Sequence, residues 1–334
     1  MAFRKKKEVI KYVSNTPDLQ EWIRDFAMHL STNSQEDKIQ YPESFAKGYA
    51  RVFQISEGLA GRIVDYTLNT DFLFTRNPAK EFYLILYLYN YKNCHRLELE
   101  INDRKIVEHE NSELSSLLLT NSMVKQQLTI TQNTIVKGLT IQMTEDWLKR
   151  KLKPSSKVNL KLLENKDVFQ TLIKPKYRKL IDEIFNLRPD SFVPDLYLAT
   201  RILRLLELFF DDIFKNGLEA NVLPASTQDV QGLLNVEQYL LQNYREAFPT
   251  INTLSRLAMM SSSKLKQTFK KAFGMGLFEY FQQNRMYKAR DLLLSEVYSV
   301  TEVGQLLGYH NLSNFSAAFK KEFGVLPKDA AQVV

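Results

Sequence analysis

The sequence lacks most features of secreted, membrane-spanning or disulfide-stabilised proteins. Its 334 residues include one cysteine, Cys94, which excludes an intramolecular disulfide and a cysteine-based zinc cluster. The longest uninterrupted apolar run covers residues 82–89, whereas a membrane-spanning helix needs about 20 residues. The basic amino terminus is not followed by the apolar stretch that a secretory signal requires. These absences predict a reduced, cytoplasmic protein with no membrane partner.

Catalytic and metal-binding motifs are equally scarce. The four histidines are scattered along the chain, at His29, His95, His109 and His310. The clustered His-x-His with a following Glu, typical of metal-binding barrels, is missing. We find no glycine-rich phosphate loop, nucleophile elbow or paired-carboxylate motif. We therefore predict a protein that is not an enzyme and that uses no metal and no cofactor.

Positive charge is in excess, and it is concentrated in two segments. The formal net charge is +7, which by itself is weak evidence for a polyanionic partner. Residues 256–290 contain eight Lys or Arg and one acid, and residues 149–188 contain twelve against four. The second excess is typical of a solvated helical face, with a secondary DNA or anionic-ligand contact as the alternative. The first lies in a region with further signals, described below.

The amino-terminal half changes from a helical to a strand pattern. Residues 1–40 are predicted to be a helical arm, with Thr16 as N-cap and Pro17 at the first helical position. Apolar residues alternate over 41–147, which predicts a β-rich barrel or sandwich as a regulatory domain. Four tyrosines there could line an effector pocket, although such a stripe favours core: Tyr83, Tyr87, Tyr89 and Tyr91. No motif identifies an effector-binding residue.

The rest of the chain is predicted to be helical, which gives an α+β multidomain fold. Residues 148–220 should form a connector whose long apolar helix, Leu196–Ile213, must be buried. We expect it to pack between domains or against a second copy, as the contact of a homodimer. Residues 221–229 have the composition of a linker, and 230–334 should form an all-α domain.

An internal repeat lies within the last domain. Residues 265–274 match 315–324 at an offset of fifty, and 254–255 match 303–304 at forty-nine. Each copy predicts a helix-turn-helix, at about 251–274 and 300–324, with the second turn one residue longer. Thr250 should cap the first copy, and Ser299 and Glu302 have the spacing of a capping box. Two such motifs, joined by one long helix over about 277–295, should enter major grooves about 34 Å apart.

In these positions the sequence resembles the AraC/XylS family of bacterial transcription regulators, from about Val236 to Ala330. The shared residues include Leu254, Ser261, Leu265, Phe269-Lys-Lys, Gly274, Tyr280, Arg285, Gly308-Tyr309, Phe315, Phe319-Lys-Lys, Phe323-Gly324 and Pro327. Gly304 stands where the family usually has Ala, which should weaken that helix by about 1 kcal/mol. Asp329-Ala330 replace the usual aromatic residue and Arg, so a phosphate contact there is not expected.

The resemblance implies that the second helix of each repeat enters a major groove. The DNA-binding residues that it implies are Ser262, Ser263, Lys264, Lys266, Gln267, Lys270, Lys271, His310, Asn311, Leu312, Ser313, Asn314, Ala317, Lys320 and Lys321. Lys266 could donate to guanine and Gln267 could bind adenine, while the paired lysines face phosphates. Ala317 stands where a long polar side chain is common, so the first repeat should carry most of the base discrimination.

We therefore expect a sequence-specific transcriptional regulator, and activation is the commoner behaviour in the family. Its expected partners are promoter DNA, RNA polymerase and a possible small-molecule effector bound by the β-rich domain. One alternative is an enzyme or small-molecule-binding barrel with an accessory nucleic-acid-binding tail. The other is an architectural protein that binds DNA without sequence preference.

Overall fold

The computed structural model describes residues 9–35, 37–152, 168–171, 173, 175–185, 193–216 and 227–332. The chain divides into two compact units. The sheet unit comprises residues 1–173 and 180–222, and the helical unit comprises 174–179 and 223–334. Within the described ranges no helix is long and apolar enough to cross a membrane, and no three potential metal ligands cluster together.

The sheet unit is built on one 11-stranded, mostly antiparallel sheet. Its order is β1-β6-β9-β7-β10-β5-β4-β3-β2, with β8 paired to β7 and β11 paired to β8. The strands are β1 (Val9–Ser14), β2 (Ser34–Gln35), β3 (Lys38–Gln40), β4 (Ala46–Ser56), β5 (Leu59–Leu68), β6 (Asp71–Arg76), β7 (Tyr83–Ile101), β8 (Arg104–Asn121), β9 (Gln126–Ile130), β10 (Ile135–Thr144) and β11 (Val168–Thr171). This confirms the β-rich class predicted for the amino-terminal half.

Strand β7 changes partner halfway along its length. Residues 83–92 pair with β10, and residues 97–101 pair with β9. Between these segments its register with β8 shifts, and Asn93 has a positive φ of 54°. Such bulges bend a strand and increase its local twist. The bulge therefore lets one long strand serve two parts of the sheet.

Helix α1 (Leu19–His29) buries Trp22, Ile23 and Phe26 of its predicted apolar stripe. The prediction of Thr16 as N-cap is wrong, because the Asp18 carboxylate accepts from the Glu21 amide at 2.8 Å. The Thr16 hydroxyl instead accepts from the Asp18 amide, one turn before the helix. Asp competes well for this position because its carboxylate also interacts favourably with the helix dipole. Strand β1 precedes the helix and pairs in parallel with β6.

Within the described residues, α2 (Glu145–Lys151) lies between β10 and β11, and α3 (Pro175–Phe185) and α4 (Pro194–Asn216) follow β11. Helix α3 is divided between the two units after residue 179. Helix α4 buries seven apolar side chains within the chain itself, and Asp195 at its start pairs with Arg51 of β4 at 2.9 Å. Leu196 and Leu203 remain exposed, at 62% and 43%. Burial of α4 therefore needs no second copy, although these two leucines face outward.

Besides the start of α3, the helical unit contains six α-helices within the described residues. They are α5 (Thr227–Gln242), α6 (Ile251–Ala258), α7 (Ser262–Phe273), α8 (Leu277–Leu294), α9 (Val300–Leu306) and α10 (Leu312–Phe323), followed by a 3-10 helix at Pro327–Gln332. Of the linker predicted over 221–229, residues 221–226 lie outside the described ranges. The prediction of an all-α domain with two helix-turn-helix motifs is confirmed, as α6–α7 and α9–α10.

Helix α8 supplies core to both motifs. Near its start, Tyr280 contacts the rings of Phe269 and Phe273, with centroids 5.3 and 4.8 Å away. Further along, Met286 and Ala289 join the buried cluster of the second motif. The two motifs are thus anchored on successive parts of one helix.

A cavity of about 840 Å³, counted with its open mouth, lies inside the sheet unit. Helix α1 and strands β5 to β9 line it, mostly with aromatic and aliphatic side chains. Tyr87, Tyr89 and Tyr91 are among them, whereas the sequence pattern favoured a core role. Tyr83 is not among the lining residues. Side chains that line a cavity and side chains that fill a core alternate along β7 in the same way. The sequence pattern alone therefore does not distinguish these two roles.

Candidate nucleic-acid interface

The first helix-turn-helix is delimited by side-chain caps and left-handed residues. As predicted, Thr250 caps α6 by accepting from the Thr253 amide at 3.2 Å. Met259 then ends α6 with a φ of 53°. Ser261 caps α7 by accepting from the Lys264 amide at 3.3 Å, and Gly274 ends that helix with a φ of 76°. Three residues therefore separate the two helices.

Small side chains mark the crossing of α6 and α7. Ser255 Oγ lies 3.1 Å from Ser262 Oγ, a hydrogen bond that joins the two helices directly. Below the crossing, Leu254, Leu265 and Phe269 are buried. Ser255, which matches Gly304 of the second copy, thus forms a polar contact between the two helices.

The second helix-turn-helix begins with the predicted capping box. The Ser299 amide donates to Glu302 Oε2 at 2.7 Å, and the Glu302 amide donates to Ser299 Oγ at 3.3 Å. Hydrogen bonds from Ser299 hold the pKa of the Glu302 carboxyl below its usual value. Gly308 provides the positive φ, 71°, in the turn, and the Asn311 side chain caps α10 through the Ser313 amide at 2.8 Å.

Gly304 gives this second crossing its close approach. A Cβ at this position would lie 2.7 Å from Leu312 Cδ2 and 3.3 Å from Phe315 Cδ1. Helix propensity alone suggested only a cost for glycine here. The structure also gives a packing reason for glycine at position 304. Side chains of α10 occupy the space that the methyl group of an alanine in α9 would need.

Two arginines of the basic segment 256–290 do not face solvent. Arg285 is buried, with its guanidinium 5.3 Å from the Phe281 ring and 4.6 Å from the Tyr309 ring. Burial lowers the pKa of Arg285. Arg290 is likewise buried, 4.9 Å from the ring of Phe323. Such cation–π packing stabilises the domain, so this part of the positive charge is structural.

Helix α7 presents most of its predicted DNA-binding residues on one face. Ser263, Lys266, Gln267, Lys270 and Lys271 are exposed at helical spacing. The opposite face, which includes Leu265 and Phe269, is buried. The structure thus brings together one polar, basic surface, which we call the α7 face.

Two residues predicted for this helix are otherwise engaged. Ser262 is half-buried in its hydrogen bond with Ser255. Lys264 Nζ lies 2.7 Å from Asp229 Oδ1, a carboxylate on helix α5. These contacts favour structural roles for both side chains, within the helix crossing and between α5 and α7.

The residues predicted for the second repeat are also exposed, and we call this surface the α10 face. It consists of His310, Asn311, Leu312, Ser313, Asn314, Ala317, Lys320 and Lys321. Phe315 and Phe319 point the other way, into the buried cluster. At the repeat offset, Ala317 occupies the place of Gln267, so the α10 face offers fewer long hydrogen-bonding side chains.

The lysines on both faces are available to an anion. Among the described residues, Lys266, Lys270, Lys271, Lys320 and Lys321 take part in no ion pair. The last four lie in the final turns of α7 and α10. Lysines there also stabilise a helix through its dipole, by about 0.3–1 kcal/mol. That role leaves the ammonium groups in solvent, where phosphate oxygens can reach them.

Comparison with known proteins identifies the carboxyl-terminal region. Residues 254–332 match the family model described as a helix-turn-helix domain. The xylose operon regulatory protein of Escherichia coli K12 is 34% identical over 74 residues, 22% of this chain and 19% of that protein. The transcriptional activator RhaR of Yersinia pseudotuberculosis is 26% identical over 114 residues, 34% of this chain and 38% of that protein. The chain thus spans well under half the length of these relatives.

Solved structures are also similar to part of this chain. One of them is the C-terminal domain of the response regulator yesN from Fusobacterium nucleatum, with 30% sequence identity and a TM-score of 0.27. The likeness covers 28% of this chain and 92% of that one. Residues 254–332 thus match a helix-turn-helix domain model, and the relatives that this chain resembles are transcription regulators by name.

Proposed function

We propose that this protein is a transcriptional regulator that binds specific sequences of double-stranded DNA through its helical unit. The observation that carries the proposal is the pair of exposed faces on α7 and α10, which occupy equivalent places in two helix-turn-helix motifs. Each face combines polar side chains with lysines that have no ion pair among the described residues. A partner of this kind implies that the protein works in the cytoplasm, by binding rather than by catalysis.

The two faces should contribute differently to recognition. The α7 face carries Lys266 and Gln267, whose side chains can pair with guanine and adenine edges. The α10 face has Ala317 where the first has Gln267, and it ends in Lys320 and Lys321. Phosphate contacts position a protein without reading sequence. We therefore assign base readout mainly to the first motif and anchoring mainly to the second.

Regulation requires further partners. Names of two relatives, a transcriptional activator and an operon regulatory protein, support activation through RNA polymerase. The cavity of the sheet unit supports binding of a small effector. A homodimer would raise DNA affinity through effective concentration, and its contact would be the outward side of α4, at Leu196 and Leu203. Sedimentation as a monomer at micromolar concentration would remove the dimer from the proposal.

A footprint on the DNA beside the protein's own gene tests the central proposal. The full chain should protect one or two half-sites, and a large excess of bulk DNA should not abolish the protection. If bulk DNA competes as well as the promoter fragment, the protein is the non-specific architectural alternative. If no duplex is bound at low salt, the helical unit has another role and the proposal fails.

A further inference from the structure

The cavity of the sheet unit contains a buried arginine. Arg62 lies on β5 and lines the cavity together with Val64 and Tyr66, two and four residues further along the same strand. Its side chain is only 9% exposed. The guanidinium stacks on the Trp22 ring at 4.0 Å, and Nη2 donates to the Tyr89 hydroxyl at 3.2 Å.

Within the described ranges, no negatively charged side chain pairs with this guanidinium. Among the described residues, Arg62 forms no ion pair, and its other hydrogen bond goes to the Thr140 hydroxyl at 3.1 Å. The neighbouring tyrosines do not supply one, because burial raises the pKa of Tyr41 and Tyr66 well above neutrality. An arginine remains protonated in proteins. In the part of the chain that the structure describes, Arg62 is therefore a buried positive charge without a counter-charge, an arrangement that costs stability.

Two hydrogen-bond donors at the cavity also have no acceptor. Arg62 Nε and Trp22 Nε1 are buried and have no partner among the described side chains and backbone. Both residues line the cavity. Buried polar groups are nearly always paired, so two unpaired donors beside one cation point to an acceptor of negative charge.

The remaining lining limits what can carry that charge. Most of it is aromatic or aliphatic, including Phe26, Phe45, Phe72 and Leu99. An inorganic phosphate would lose its hydration among these apolar side chains, and a single guanidinium would not compensate for that loss. A carboxylate matches the planar fork of an arginine, and the carbon skeleton behind it can replace water at the rings.

We propose that this cavity binds a small organic carboxylate with an apolar body, whose carboxylate pairs with Arg62. The apolar body lies among the aromatic side chains, and Trp22 contacts the guanidinium from its other side. Binding supplies the missing counter-charge. The proposal rests on the effector binding proposed above for the sheet unit, and it does not depend on whether the helical unit binds DNA.

Binding can be followed in the full chain by tryptophan fluorescence and calorimetry. The chain has two tryptophans, so a Trp147→Phe background leaves Trp22 as the reporter. The probes are trans-cinnamate and octanoate, each paired with its uncharged primary amide. We expect a carboxylate to change the Trp22 emission and to bind about ten- to a hundredfold more tightly than its amide. If neither acid binds at millimolar concentration, or if acid and amide bind equally, the proposal is wrong.

Substitution of the arginine separates binding from folding. Arg62→Met keeps the length of the side chain and removes the unpaired charge, so the melting temperature should stay level or rise while acid binding is lost. Arg96→Met removes an exposed arginine of β7 and should leave acid binding unchanged. Arg62→Lys keeps the charge without the planar fork and should weaken binding partially. Undiminished acid binding by Arg62→Met would overturn the assignment.

Discussion

Ser255 and Ser262 join the helices of the first motif through a hydrogen bond of 3.1 Å between their hydroxyl oxygens. The equivalent residues of the second motif are Gly304 and Leu312, where the apolar Cδ2 of Leu312 lies 2.7 Å from the place that a Cβ of residue 304 would occupy. One crossing is therefore polar and the other is apolar, although the helices are arranged alike. This difference has consequences for stability that mutation can measure.

Gly304→Ala should lower the free energy of unfolding by about 1 kcal/mol. Alanine would favour the helix, but its Cβ would stand 2.7 Å from Leu312 Cδ2 and 3.3 Å from the buried Phe315 ring. Removing the leucine tip should relieve the closer contact, so Gly304→Ala should be neutral or stabilising in a Leu312→Ala background. Urea denaturation of the four chains in this cycle gives the coupling. Additive effects of the two substitutions would contradict the packing explanation.

The turns of the two motifs differ at one left-handed residue. Met259 has a φ of 53° and is 77% exposed, while Gly308 has a φ of 71° at the equivalent place. A left-handed conformation costs a non-glycine residue about 1–2 kcal/mol. Met259→Gly should therefore raise the free energy of unfolding. The net gain should be about 1 kcal/mol, because the greater flexibility of glycine in the unfolded chain offsets part of the strain that is removed.

The reverse change at the second turn is the matched comparison. Gly308→Ala should destabilise the protein by more than the first substitution gains, because its Cβ would also lie 2.8 Å from the Arg245 carbonyl oxygen. Thermal melts of both variants measure the two changes in stability. A loss of stability in Met259→Gly would show that the methionine side chain makes a stabilising contact.

The capping box of α9 predicts a specific dependence on pH. Hydrogen bonds from Ser299 lower the pKa of Glu302 in the folded state. A lowered pKa means that the carboxylate contributes stability above its unfolded pKa of about 4.3 and loses that contribution as pH falls through the folded value. Glu302→Gln should therefore be less stable than the wild type at neutral pH, and the difference should shrink in acid. A difference that is constant from neutral to acid pH would contradict this role.

Local patterns were sufficient for the helical unit. Caps at Thr250 and Ser299, apolar stripes and the fifty-residue repeat define its helices because each signal lies within a few residues of the structure it specifies. The predicted cap of α1 at Thr16 is wrong because Asp18, two residues further along, is also a favourable capping residue and occupies that position. Sequence also did not show that α4 is buried within the chain, since an apolar helix looks the same whichever partner covers it.

The buried arginine of the cavity was missed for a different reason. Arg62, Val64 and Tyr66 occupy alternate positions of β5 and line the same cavity. The alternation along β5 therefore indicates that Arg62 lies on the same face of the strand as two apolar or aromatic residues. A single arginine in a strand is more often exposed, and its lack of a carboxylate depends on residues distant in sequence. Only the assembled sheet shows which side chains surround it.

Alanine substitutions on the α7 face and the α10 face should separate the proposed base readout from the proposed phosphate anchoring. Gln267→Ala and Lys266→Ala should cost about 1–3 kcal/mol of discrimination between the specific site and a random duplex. Lys320→Ala should weaken binding to both duplexes alike and reduce the slope of log affinity against log salt by about 1. Lys47→Ala, which removes an exposed lysine of β4, is the control for charge alone. Fluorescence anisotropy over a salt series measures the affinity for the specific site, the affinity for the random duplex and the salt dependence of each.

The pattern of losses decides between the two assignments. If Gln267→Ala weakens binding to the specific and the random duplex equally, the α7 face contacts phosphates and does not read bases. If Lys320→Ala lowers specificity instead, the α10 face contacts bases despite Ala317. Equal behaviour of Lys320→Ala and Lys47→Ala would mean that the second motif does not touch phosphate. Each result is distinct because phosphate contacts change the salt dependence, whereas base contacts change the ratio of specific to random binding.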